Sequence, residues 1–109
     1  MSVRLKIDTD DLRVAFDLMG RNGSLQPGSE TTTPDGSRLR FERVTGESGH
    51  IRSLEFLIDK YTGERSGSLA EWLYDHLKGR VPRIRLAGET VEVDPRAIRR
   101  ALGERPGTS

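Results

Sequence analysis

The period of apolar and polar positions changes several times along the chain, and each change marks an element. Val3-Arg4-Leu5-Lys6-Ile7 alternates apolar with basic side chains, the pattern of a strand with one face in a core and the other in solvent. Over residues 12–19 two patterns compete: Leu12, Ala15, Phe16 and Met19 share a helical face, whereas Leu12, Val14, Phe16 and Leu18 alternate. Thr9 as a cap, with Asp10 and Asp11 in a first turn where carboxylates oppose the helix dipole, decides for a helix. Residues 20–37 are almost all Gly, Ser, Thr, Asn, Pro and charged groups with Leu25 the lone apolar side chain, a composition that reads as a long mobile loop. Pro34-Asp35-Gly36 then signals a turn, and Arg38-Leu39-Arg40-Phe41-Glu42 alternates as a second strand.

Ile51, Leu54, Leu57, Ile58 and Tyr61 form one helical stripe, and Leu69, Trp72, Leu73, His76 and Leu77 form another. Gly63 and Gly67 lie between them, and Ser68-Leu69-Ala70-Glu71 matches a capping box. The reading is two helices with a break. A single helix over 51–77 would carry both glycines in its interior, at about 1 kcal/mol each.

A hairpin follows. A turn at Gly88-Glu89 pairs Leu86 with Val91, Arg85 with Glu92, Ile84 with Val93 and Arg83 with Asp94, so one face is aliphatic and the other sets arginine opposite acid. Asp94-Pro95 then opens a last helix with Ala97, Ile98, Ala101 and Leu102 on its inner stripe, Gly103 as C-cap, and Arg96, Arg99 and Arg100 turned away. The order β-α-β-α-α-β-β-α defines a small α+β domain over residues 1–103, with 104–109 a disordered tail.

Composition narrows the classes. A chain of 109 residues and 12.2 kDa holds one modest core. Its longest apolar runs, such as Trp72-Leu73-Tyr74, are three residues, against the roughly 18–20 that span a bilayer. The amino terminus has no basic head followed by an apolar stretch, so the expected address is the cytoplasm, with no membrane partner. With 0 Cys, disulfides, thiol nucleophiles and cysteine zinc sites are excluded. The net charge of +1 conceals an asymmetry, because residues 76–109 carry eight basic and four acidic side chains. Such a field suits an acidic protein face or a phosphate backbone.

Candidate chemistry is sparse. His50 and His76 lie in different segments without ligand-like spacing, and Asp8, Asp10 and Asp11 lack the Gly and distal Glu of a calcium loop. No serine stands in a nucleophile elbow or a Ser-x-x-Lys pair. Gly63-Glu64-Arg65-Ser66-Gly67-Ser68 lacks the Gly-Lys-Ser/Thr ending of a phosphate loop. Gly20-Arg21-Asn22-Gly23 matches the backbone-clamping loop of KH domains, but Ser24-Leu25-Gln26-Pro27-Gly28 stands where its helix should follow. A helix-turn-helix is disfavoured because residues 69–77 present Leu, Trp and Tyr with Glu71 and Asp75, not a polar reading face. No catalytic residue, metal site or cofactor is therefore expected. Trp72 and Tyr74 face about 200° apart on a helix, so one of them, Tyr74, is left as a candidate interface anchor. Arg83, Arg85, Arg96, Arg99 and Arg100 are the candidate basic surface, for a protein partner or, second, for nucleic acid. Self-association is left open.

The run from Ser68 to Gly79, then Ile84-Arg85-Leu86-Ala87-Gly88-Glu89-Thr90-Val91-Glu92-Val93-Asp94 and the short helix after it, resembles small prokaryotic and phage proteins of unassigned role. It is also distantly similar to the effector-associated constant component family of actinobacterial conflict systems. That family likewise puts a Trp-Leu helix before a basic hairpin whose second strand reads Val-Glu-Val/Leu-Asp. The similarity covers the C-terminal part only, and the polar residues 63–67 and the long polar loop depart from it. It implies a non-enzymatic partner or adaptor of an effector protein, with no catalytic residues to transfer.

Overall fold

The computed structural model describes residues 2–19, 26–34, 36–61 and 66–103. The elements run β1 (Val3–Asp8), α1 (Leu12–Met19), β2 (Glu30–Thr32), β3 (Arg38–Glu47), β4 (His50–Asp59), α2 (Ser66–Leu77), β5 (Arg83–Leu86), β6 (Glu89–Glu92) and α3 (Pro95–Gly103). The six strands form one antiparallel sheet in the order β2-β3-β4-β1-β5-β6. The domain is α+β and ends in a hairpin and a helix. No helix among the described residues is long and apolar enough to cross a membrane.

The three helices cover one face of the sheet. Val3, Leu5 and Ile7 of β1, Leu39 and Phe41 of β3, Leu54, Phe56 and Ile58 of β4, Ile84 and Leu86 of β5 and Val91 of β6 all point to it and are buried. Above them lie Val14, Ala15 and Leu18 of α1, Leu69, Leu73 and Leu77 of α2, and Ile98 and Leu102 of α3, in the same core cluster. The rings of Phe41 and Phe56 meet edge to face with centroids 5.5 Å apart. Because strand side chains alternate, the opposite face of the same strands is left to solvent.

The main local surprise is residues 50–59. The stripe expected to be a helix is β4, paired with β3 on one side and β1 on the other. Leu54, Phe56 and Ile58 keep the period of two, and Leu57, half-buried on the open face between Arg4 and Arg40, supplies the extra apolar position that imitated a helix. A strand with neighbours on both sides gives partial cover even on its solvent face, which makes Leu57 tolerable there. The second middle helix forms as α2.

Smaller differences have equally local causes. Helix α1 forms, but its cap is Asp11, whose Oδ1 accepts from the Arg13 amide at 2.9 Å, while Thr9 Oγ1 accepts from the Asp11 amide at 3.1 Å. Its buried side chains are Val14, Ala15, Leu18 and Met19, so the core stripe is rotated from the one expected and leaves Phe16 42% exposed. Within residues 20–37, Glu30–Thr32 pairs with β3 as the edge strand β2; the glycine motif at 20–23, the first half of the glycine-rich segment at 63–68 and the tail at 104–109 lie outside the described residues, while Ser66, Gly67 and Ser68 open α2.

The C-terminal hairpin turns one residue earlier than expected. Ala87 and Gly88 both have positive φ, 52° and 88°, as a two-residue type I′ turn requires. Ile84 therefore faces Val91, Arg83 faces Glu92 and Arg85 faces Thr90. Apolar and charged faces survive the change, but the expected Arg85–Glu92 and Arg83–Asp94 pairs do not form. Asp94 is committed elsewhere: its Oδ2 accepts from the amides of Arg96 and Ala97 at 3.1 and 3.0 Å and caps α3.

Candidate anion-binding face

The open face of the sheet is where charge gathers. One register row crosses five strands, with Arg43 opposite Glu55, Glu55 opposite Lys6, Lys6 opposite Arg85 and Arg85 opposite Thr90. Arg4 stands two residues along β1 from Lys6, on the same face. Around this row the twisted sheet forms a depression of about 200 Å³ lined by Arg4, Lys6, Glu42, Arg43, Glu55 and Arg85. The tip of the β5–β6 turn, at Gly88, forms part of its rim, and nothing lies within 4 Å of where a Gly88 Cβ would stand.

An irregularity in β3 sets one wall. The register shifts between Phe41 and Arg43, so that Phe41 faces Phe56 in the core while Arg43, only two residues on, faces Glu55 on the open side. A β-bulge re-aims side chains in this way, and here it delivers an arginine that strict alternation would have carried to the other face.

The acids in this region are already engaged. Glu55 Oε1 lies 4.0 Å from Arg43 Nε, and Glu42 Oε2 lies 3.4 Å from Arg40 Nε. Arg40 and Arg38 also reach Glu30 on β2, at 3.9 and 3.3 Å. For Arg4, Lys6 and Arg85 no carboxylate among the described residues comes within the 4.0 Å of an ion pair. Asp8 is the nearest uncommitted acid along β1, toward Arg83 at the mouth of an adjoining cavity. Lys6 and Arg85 are thus like charges directly opposite each other, an arrangement that destabilises a sheet.

The other candidates lie elsewhere. Arg83 and Arg85 are exposed on the open face, whereas Arg96, Arg99 and Arg100 are exposed on α3, whose Ile98 and Leu102 enter the core from the covered side. The structure therefore splits the basic candidates between the two sides of the sheet. Arg99 lies over the start of α2, with its Nε 3.7 Å from where a Gly67 Cβ would be.

Trp72 and Tyr74 are both half-buried against the core. Trp72 stacks on His76 with ring centroids 4.7 Å apart, and His76 Nδ1 donates to the Trp72 carbonyl at 2.8 Å. Lys78 Nζ lies 5.6 Å from the centre of the Tyr74 ring and 3.7 Å from Asp75. Arg80 pairs with Asp17, tying the turn after α2 to α1. Among the described residues no three His, Asp or Glu side chains converge as a metal site would need.

Arg4, Lys6 and Arg43 were absent from the sequence candidates. The signal for the first two was present in the apolar–basic alternation of β1, but nothing in the residues placed β1 between β4 and β5, where Lys6 meets Arg85. Comparison of the chain with protein-family models, with curated proteins and with solved structures finds no match.

Proposed function

We propose that the protein is a small non-enzymatic interaction module that docks an acidic segment of another protein on the open face of its sheet. The observation that carries this reading is the cluster of Arg4, Lys6 and Arg85 around one depression, three cations that form no ion pair with a carboxylate among the described residues. Acids interleave with the cations there, Glu55 standing between Lys6 and Arg43. A mixed pattern of this kind complements a partner carrying both charges and selects against wrong ones. The resemblance of the C-terminal part to the effector-associated family supports a setting in which the partner is an effector protein, in a phage-borne or bacterial conflict system.

Fluorescence anisotropy with a labelled Glu-rich peptide tests the reading. Binding is expected at low ionic strength, weakening as salt screens the contacts, and is expected to be lost in the Arg4→Glu and Arg85→Glu variants. Absence of binding at low salt overturns it.

A weak, sequence-independent nucleic-acid binder is the second reading, favoured by the exposed Arg96, Arg99 and Arg100 stripe on α3. Against it, no Phe, Tyr or Trp on which a base would stack occupies an open-face position of the six strands. Gel retardation of single- and double-stranded DNA at low ionic strength decides between the two.

A further inference from the structure

We infer that the depression between β1, β3 and β5 is a subsite for a phosphate monoester, carried by a phosphorylated serine or threonine of the docked partner. The inference rests on the open face being a protein-docking surface and names the group that face takes. Its ground is a mismatch of charge that a particular ligand would remove. After Arg43 and Arg40 are matched with Glu55 and Glu42, Arg4, Lys6 and Arg85 still face the depression with no carboxylate among the described residues in ion-pair reach. A single carboxylate brings one negative charge and two oxygens, and would leave much of that field uncompensated. A phosphate monoester brings about −1.5 to −2 charges at neutral pH and three acceptor oxygens, one for each cation.

The donors suit the group. Two of the three are arginines, whose planar forks match phosphate oxygens in pairs, and the lysine between them acts as a point charge. Lys6 is held in place on the strand that forms the floor, with β4 and β5 on its two sides, so the pair it makes with Arg85 is fixed by backbone register. At the rim, Gly88 carries no side chain, and the space its Cβ would take is open. A phosphate seated between Lys6 and Arg85 would turn their mutual repulsion into two attractions, making the bound state the one in which this part of the sheet is electrostatically satisfied.

The first experiment is an NMR titration of the 15N-labelled full chain with inorganic phosphate, against sodium acetate at matched ionic strength. Saturable shifts at the amides of residues 4–6 and 85–88 are expected with phosphate, and only weak, unsaturated ones with acetate. Arg85→Thr and Lys6→Gln are each expected to weaken phosphate binding about ten- to a hundredfold, with melting temperatures not lowered, while Arg96→Gln on α3 leaves it unchanged. No saturable response, an equal response to acetate, or undiminished binding in both variants overturns the inference.

The second experiment separates the subsite from the docking reading. A Glu-rich peptide carrying one phosphoserine is expected to bind at least about tenfold more tightly than the same peptide with serine or glutamate there. If the glutamate peptide binds equally well, the docking surface stands and the phosphate subsite falls. If inorganic phosphate saturates the site but no peptide binds, the anion site stands without its protein partner. Retardation of DNA that is lost in Arg85→Thr assigns the phosphate to a nucleic-acid backbone and overturns the inference.

Discussion

Across β4, β1 and β5 the covered face sets Phe56, Leu5 and Leu86 side by side; one residue along each strand, the open face sets Glu55, Lys6 and Arg85. The first row is what stability alone would choose, three apolar side chains almost wholly removed from water. The second contains a contradiction, because Lys6 faces an opposite charge on one side and a like charge on the other. Local choices in a folded chain usually agree with one another, and the places where they conflict are where function is to be sought. The comparison therefore predicts that substitutions in the two rows have effects of opposite sign.

The largest effect belongs to the covered row. Phe56→Ala is expected to cost about 3–5 kcal/mol by denaturant unfolding, because it opens a cavity beneath three helices and removes the edge-to-face partner of Phe41. A cost below 1 kcal/mol would mean that the covered face is not the core described here. Next is the cap that holds α3 over that face: Asp94→Ala removes the acceptor of two amide hydrogen bonds and is expected to cost about 1 kcal/mol. In the open row the sign reverses. Arg85→Thr removes the like charge opposite Lys6 and places Thr beside Thr90, so stability is expected to rise by about 0.2–1 kcal/mol while phosphate binding weakens. A variant that lost both stability and binding would erase the contrast between the rows.

The smallest effect is one of pH. Hydrogen bonds from the Arg13 side chain, and then from its backbone amide, hold the Asp11 carboxyl below the usual aspartate range. A carboxyl lowered in the folded state contributes stability above its unfolded pKa and loses it as pH falls through the lowered value. Thermal melts of Asp11→Asn and the parent chain should accordingly differ at neutral pH, begin to converge near about pH 4 and meet only once pH has fallen below the lowered value. A difference that persisted unchanged in acid would show that the carboxylate's charge is irrelevant to the cap.

What the residues revealed follows the same division. Elements with a single buried face were legible: the alternation of β1, the apolar stripe of α2, and the Asp94-Pro95 start of α3 each followed from local chemistry. Residues 50–59 were not, because Leu57 adds an apolar position that only a centrally placed strand explains, and the order of strands is not written in any local pattern. The hairpin was legible as a hairpin but not in register, since Ala87 at positive φ is a conformation its side chain disfavours and the sequence alone argued for a turn led by glycine. The candidate site was half visible. Arg85 was named, and the β1 cations were noted as a solvated face, but the bulge that carries Arg43 across and the adjacency of Lys6 and Arg85 are consequences of long-range pairing.

That pairing has a consequence for how the fold is reached. Leu5 is bonded in register to residues as distant as Phe56 and Leu86, so the central strand of the sheet is the one with the longest loops to close. Contacts of high sequence separation are slow to form, because closure entropy is lost before they return any stability. The β3–β4 hairpin, with its tight turn at Ser48-Gly49, can assemble early. The depression on the open face cannot exist until β5 arrives against β1, so the proposed anion site is completed only when the sheet itself is.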